Sequence, residues 1–190
     1  GVIKRELVNE YLKKLGQDER KILRNLGVKF GRYHIFLFKL FKPESVSLRI
    51  LLWKNFNQKD FKLKPPTFGL NFLEDKNKKN KKFMLLCGFE NFDNFFVRID
   101  ILERLFVQII NSNSEKNKDK EIKLVPEMLN LLGCSKDNFK KLIKKMNYKI
   151  LEKDNDVYFK YNPKKQIKKT FKKLNSPNSP FKILKNLNLR

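Results

Sequence analysis

Between residues 122 and 161 the hydrophobic pattern switches between strand and helix periods in an order that leaves few folds open. Ile122 to Val125 reads as a short extended piece, and Pro126 sits at the first position of a helix carrying Met128, Leu129, Leu131 and Leu132. Gly133 closes that helix and Ser135 caps the next, Lys136 to Tyr148, whose Phe139, Leu142, Ile143 and Met146 fall at i, i+3, i+4 and i+7. Lys149 to Leu151 and Val157 to Tyr161 then read as two strands joined by a turn at Asp154-Asn155-Asp156. Ahead of them, Asp100 opens a helix bearing Ile101, Leu102, Leu105, Phe106, Ile109 and Ile110, which ends at the polar loop Asn111 to Lys120. Helix, short strand, helix, tight turn, helix and hairpin is the order of a winged helix-turn-helix.

The first half is less regular. Ile3, Leu7, Val8, Tyr11, Leu12 and Leu15 recur at helical spacing up to Gly16, and Asp18 is placed to cap a second helix with Ile22, Leu23 and Leu26 on one face and Gly27 as its stop. A helical hairpin is expected. Val28 to Phe41 crowds aromatic and aliphatic residues without a clean period and reads as a short strand or buried connector, after which Pro43 and Glu44 start a helix through Ile50, Leu51 and Trp53. Residues 57–82 contain Pro65-Pro66, Gly69 and a Lys/Asn run, the composition of a linker with a polar insert. Phe83 to Cys87, Gly88-Phe89, a turn at Asp93-Asn94 and Phe95 to Ile99 form a weaker echo of the helix-and-hairpin ending. The fold expected is mainly α with small β-hairpins: a helical portion at 1–56, a linker at 57–82, a winged-helix-like portion at 83–161 and a basic tail at 162–190, rich in Lys and Pro without one acidic residue.

A net charge of +24, from 44 Lys plus Arg against 20 Asp plus Glu, favours a polyanionic partner, and nucleic acid is the first of these. AT-rich codon bias would also enrich Lys, Asn, Phe and Ile, so the distribution of charge matters more than its total. The helix at 136–148 provides that distribution. Opposite its apolar stripe stand Lys140, Lys141, Lys144 and Lys145, with Lys136 and Asn138 in its first turn, and Lys149, Lys153 and Lys160 add a basic wing. Ammonium groups so placed hold phosphates while the apolar stripe anchors the helix; the alternative is an ordinary solvated Lys face.

In Lys29-Phe30-Gly31-Arg32-Tyr33-His34, cations alternate with rings as on a single-strand stacking surface, but rings in the core with Gly31 at a turn is the preferred reading. That leaves Arg32 as the outward contact. His34 has no second His, Cys or carboxylate at ligand spacing and reads as structural, and Glu103 with Arg104 reads as a helix-surface salt bridge.

No Gly-rich phosphate loop and no acidic metal-and-base motif occurs, so no nucleotide hydrolysis and no cofactor are expected within these residues. Cys87 and Cys134 lie in apolar stretches and build neither a disulfide framework nor a zinc site, which suits a reducing, cytoplasm-like compartment. No apolar run approaches the roughly 20 residues of a membrane span, so a membrane partner is not expected. The start at Gly1 suits a fragment or a tag scar.

Three stretches carry a family resemblance together: Leu26-Gly27-Val28-Lys29-Phe30-Gly31-Arg32-Tyr33 with Leu40-Phe41-Lys42-Pro43 and Leu51-Leu52-Trp53; Val97-Arg98-Ile99-Asp100-Ile101-Leu102-Glu103-Arg104-Leu105; and Pro126-Glu127-Met128 through Leu131-Leu132-Gly133-Cys134-Ser135 to Met146-Asn147-Tyr148. They resemble the C-terminal region of alphaproteobacterial superfamily 2 helicases akin to the mitochondrial degradosome RNA helicase. The resemblance implies a bacterial cytoplasmic parent with motor domains upstream, ATP and magnesium as its cofactors, and an RNA or DNA single strand held between motors and C-terminal region. Lys and Asn enrichment and the insert near Lys76 to Lys82 depart from the usual pattern. Two other readings compete: a free-standing winged-helix DNA-binding regulator, and a docking module for a nuclease that uses exposed Phe residues as anchors.

Overall fold

The computed structural model describes residues 1–57, 63–75, 80–114, 121–153 and 156–162. The expected tail, the Asp154-Asn155 turn and most of the polar insert lie outside the described residues. Seven α-helices and three small antiparallel sheets make this a mixed α/β protein among the described residues: the expected helices and small hairpins are there, and a third strand joins each hairpin to make a sheet.

The chain runs β1 (Val2–Lys4), α1 (Arg5–Lys14), α2 (Gln17–Asn25), β2 (Val28–Phe30), β3 (His34–Leu37), a 3-10 turn at Phe38–Phe41, and α3 (Pro43–Phe56). It continues through β4 (Phe72–Glu74), α4 (Lys81–Leu86), β5 (Phe89–Phe92), β6 (Phe95–Arg98) and α5 (Ile99–Ser114). The last part is β7 (Ile122–Lys123), α6 (Pro126–Leu132), α7 (Lys136–Lys145), β8 (Tyr148–Lys153) and β9 (Asp156–Tyr161). The sheets are ordered β1-β3-β2, β4-β6-β5 and β7-β9-β8, so one topology occurs three times: a lone strand, helix, then a hairpin whose second strand lies in the middle.

Several expectations change. The first helix does not start at Ile3, because Val2 and Ile3 pair with Phe36 and Ile35 of β3 and so adopt strand geometry. Gly16, not Asp18, precedes α2, and its N–H donates to the Glu19 carboxylate at 2.8 Å. Val28 to Leu37 is a β-hairpin. Phe72–Glu74, inside the stretch read as linker, pairs with Phe95 to Val97 of β6. α7 ends at Lys145, and Asn147 at φ 66° turns the chain so that Tyr148 already belongs to β8. α5 extends to Ser114, past the expected end at Ile110.

Each hairpin follows a helix that stops on a left-handed residue: Gly27 at φ 93°, Gly88 at φ 90° and Asn147 at φ 66°. Counting back from these, Leu142, Phe83 and Ile22 are equivalent, as are Met146, Cys87 and Leu26. The first two of each set are buried, against α5 in the third unit and α3 in the second. Ile22 and Leu26 are 59% and 66% exposed, and no helix among the described residues covers them as α3 and α5 cover their equivalents. The first unit therefore has little core of its own, only Leu12, His34 and Phe36 being buried. Each apolar side chain fully buried in the other units stabilises by about 1.5–3 kcal/mol. What fixes the first unit is its junction with them.

Candidate nucleic-acid interface

α7 is held by its buried stripe, Phe139, Leu142 and Ile143, and its start by Ser135, whose Oγ accepts from the Asn138 N–H at 3.3 Å. This leaves Lys136, Lys141, Lys144 and Lys145 exposed and Lys140 half-buried, as their spacing predicts. Asn138 is half-buried at the same turn.

The lysines are not equally available. Lys140 Nζ donates to Glu152 on β8 at 2.6 Å, and this bond, with Lys136 and Lys144 nearby, holds the Glu152 carboxyl below its usual range. Lys145 donates at 2.6 Å to Asp93, in the β5–β6 turn, and Lys153 at 2.7 Å to Glu121 while lying 6.0 Å from the Tyr158 ring. Lys123 pairs with Asp156 in the same way. Such surface pairs contribute little and open readily for a phosphate, but they cut the local positive field. Lys136, Lys141, Lys144, Lys149 and Lys160 are exposed and have no ion pair among the described residues. Moreover, Lys149 on β8 stands directly across from Lys160 on β9. Like charges placed opposite one another in an antiparallel pair repel.

Arg32 is also exposed, at the tip of the β2–β3 turn, and that turn is gripped by a residue read as a surface pair. Glu103 of α5 is buried instead, and its carboxylate accepts from the backbone N–H groups of Arg32, Tyr33 at 3.0 Å and His34 at 2.8 Å. A Cβ on Gly31 would stand 2.4 Å from the Glu103 carboxyl carbon, so glycine is what lets the carboxylate approach. The expected Glu103–Arg104 pair is thus absent among the described bonds: the three N–H donors outcompete a solvated guanidinium for a buried acceptor.

His34 is buried, and although no carboxylate lies at ligand spacing in sequence, it meets two in space. Its Nδ1 lies 3.1 Å from Glu103 and its Nε2 2.9 Å from Glu90, which also takes Lys4 at 3.3 Å. Burial alone would lower the His34 pKa; the hydrogen bonds of Glu103 and Glu90 outweigh it and raise it. Glu90 is the mirror case, since burial raises its carboxyl while His34 and Lys4 together bring it below the usual range. Carboxylates from the second and third units thus clamp an imidazole from the first.

Beside this clamp, a cleft of about 540 Å³ opens between the units. Lys4, Arg5, Arg32 and Lys145 stand on its walls with Tyr33 and Tyr161. Lys145 therefore belongs both to the α7 face and to the cleft. The Tyr33 ring, expected in the core, and Tyr161, expected only as a strand end, are both partly exposed, at 40% and 51%. The alternation of cations and rings at 29–34 was the signal that pointed to Tyr33, while Tyr161 carried none. Elsewhere, burial pushes the Cys87 and Cys134 thiols up to about 11, which leaves both protonated near neutral pH. Among the described residues no helix is long and apolar enough to cross a membrane. Comparison with known proteins returns no matching family model, curated protein or solved structure.

Proposed function

We propose that this chain binds single-stranded nucleic acid along α7 and the β8–β9 hairpin, and that it does so as the C-terminal accessory region of an ATP-dependent superfamily 2 RNA helicase. The observation that carries the binding is the Lys149–Lys160 pair, two exposed like charges facing each other across the hairpin with no acidic partner among the described ion pairs, on a wing that follows the exposed Lys141 and Lys144 of α7 in the chain. A phosphate between them turns a repulsion into two attractions, and each phosphate neutralised releases condensed counterions. The sheet order and the capped α6-turn-α7 arrangement support taking the third unit as a winged helix, with α7 as its recognition helix and β8–β9 as its wing.

The helicase part of the proposal rests on the sequence resemblance. In it ATP and magnesium are held by motor domains outside these residues, and this region supplies grip: it holds the strand while motor movement translocates it. No bond is made or broken here.

Fluorescence anisotropy with a labelled single strand of about 12 nucleotides, within the usual range of single-strand site sizes, tests the binding. Changing Lys136, Lys141, Lys144 and Lys149 together to Gln should weaken binding of every sequence alike. Equal binding by the two proteins removes the interface. A clear preference for duplex would transfer the reading to a winged-helix DNA-binding regulator. The encoding gene tests the helicase: a reading frame that continues upstream of Gly1 into motor motifs supports it, and an initiator codon at Gly1 sinks it.

A further inference from the structure

We infer that the cleft between the three units takes one unstacked nucleotide of the bound strand, its base against Tyr33 and Tyr161 and its phosphate against the cations on the wall. This deepens, and rests on, the single-strand reading above. The cleft volume of about 540 Å³ lies in the range of about 300–1,000 Å³ that small-ligand sites occupy. Its walls carry the Tyr33 and Tyr161 rings and the cations Arg5, Arg32 and Lys145 beside the carboxylates Glu6 and Glu90, of which Glu90 is already held by Lys4 and His34.

The two rings are held from behind. Tyr33 rests on Phe106 of α5 with centroids 4.2 Å apart, and Tyr161 rests on Tyr148 with centroids 5.1 Å apart. A ring already braced on one face and exposed on the other loses little freedom when a base stacks on it, and base stacking on an aromatic side chain is tolerant of sequence. Both rings line the same cleft, together with Arg32. Arg32 carries its charge at the same rim, on a turn whose backbone Glu103 holds fixed. Lys145 lines the cleft and also belongs to the lysine face of α7, so a strand running along α7 meets the cleft at Lys145, whose surface pair with Asp93 a phosphate would replace.

The test compares the intact chain binding a single strand of about 12 nucleotides with the same backbone lacking bases, in uridine and thymidine series. Loss of a stacked base should weaken binding by about 5-fold to 100-fold. Tyr161→Leu should abolish that preference while leaving affinity for the abasic backbone at the wild-type level, and Tyr161→Phe should keep it. A 2-aminopurine strand should show a fluorescence change on binding that Tyr161→Leu removes. Should either Tyr161 variant fail to fold, the based-versus-abasic comparison on the unaltered protein still decides. Equal binding of both backbones, or a preference that survives Tyr161→Leu, overturns the cleft while leaving the lysine face standing. Absence of binding to any strand at low salt overturns both.

Discussion

Replacing Glu103 with Gln tests the junction that positions the first unit. The carboxylate takes three backbone N–H donors and one ring nitrogen of His34, and its side chain is 8% exposed. A carboxamide offers one oxygen where there were two, so either the Arg32 N–H or the Tyr33 and His34 group loses its acceptor and meets an NH2 instead. Each buried donor left without an acceptor costs about 1–3 kcal/mol, and removing one partner of a buried charged pair costs about 3–5 kcal/mol in all. At about 2–4 °C per kcal/mol for a protein of this size, the melting temperature should fall by about 6–20 °C. The loss should be local first, because with Ile22 and Leu26 exposed the first unit has only a small core of its own. Hydrogen exchange should accelerate at the Arg32, Tyr33 and His34 amides while amides in α7 and β9 keep their protection. Gly31→Ala should reproduce the effect by pushing the carboxylate away. An unshifted melt with unchanged exchange at the three amides in E103Q would refute the reasoning.

Acid should favour the same clamp. The His34 pKa is raised above 6.5 in the folded chain, so its contribution is full below that pH and is lost as pH rises through the folded value. Urea midpoints should therefore be higher at about pH 6 than at about pH 8, a difference that His34→Gln should remove and that would count against the clamp if it persisted. The Glu90 contribution runs the other way: its folded pKa lies below 4.5, so it holds above that value and disappears on stronger acidification, which should appear as an acid-side destabilisation absent from Glu90→Gln. Gly88→Ala should destabilise by about 1–3 kcal/mol because the residue sits at φ 90° and a Cβ would stand 2.7 Å from the Phe41 ring; a stability within about 0.5 kcal/mol of wild type by urea titration would contradict this.

The third unit was legible because its signals are local. Ser135, Gly133 and the i, i+3, i+4, i+7 stripe each act within one or two turns of chain, and Ser135, Gly133, Phe139, Leu142 and Ile143 stand where those signals put them. β1 and β4 were not legible, since Val2-Ile3 continues a helical spacing and Phe72–Glu74 lies in a Pro- and Lys-rich stretch; each becomes a strand only through a partner distant in sequence. Ion pairing was hidden for the same reason. Lys145 finds Asp93, Lys153 finds Glu121, and Glu103 finds a turn some seventy residues away, so a face that reads as uniformly basic along the helix is partly neutralised in space. The repeat itself was only glimpsed, because the helix stop is Gly in two units and Asn in the third.

The salt dependence of oligonucleotide affinity tests the central claim most directly. Each phosphate contact to a single strand contributes about 0.7 to the slope of log affinity against log salt concentration, so changing Lys136, Lys141, Lys144 and Lys149 to Gln should flatten the slope by up to about 2.8. Lys140→Gln and Lys153→Gln, which remove ammonium groups already paired with Glu152 and Glu121, should each flatten it by less than one unpaired lysine does. Thermal melts of the same proteins should coincide, because all of these side chains are surface residues of a unit whose core they do not enter. Parallel slopes and equal affinities for wild type and the fourfold variant would show that this face is solvated charge and not a phosphate-binding surface.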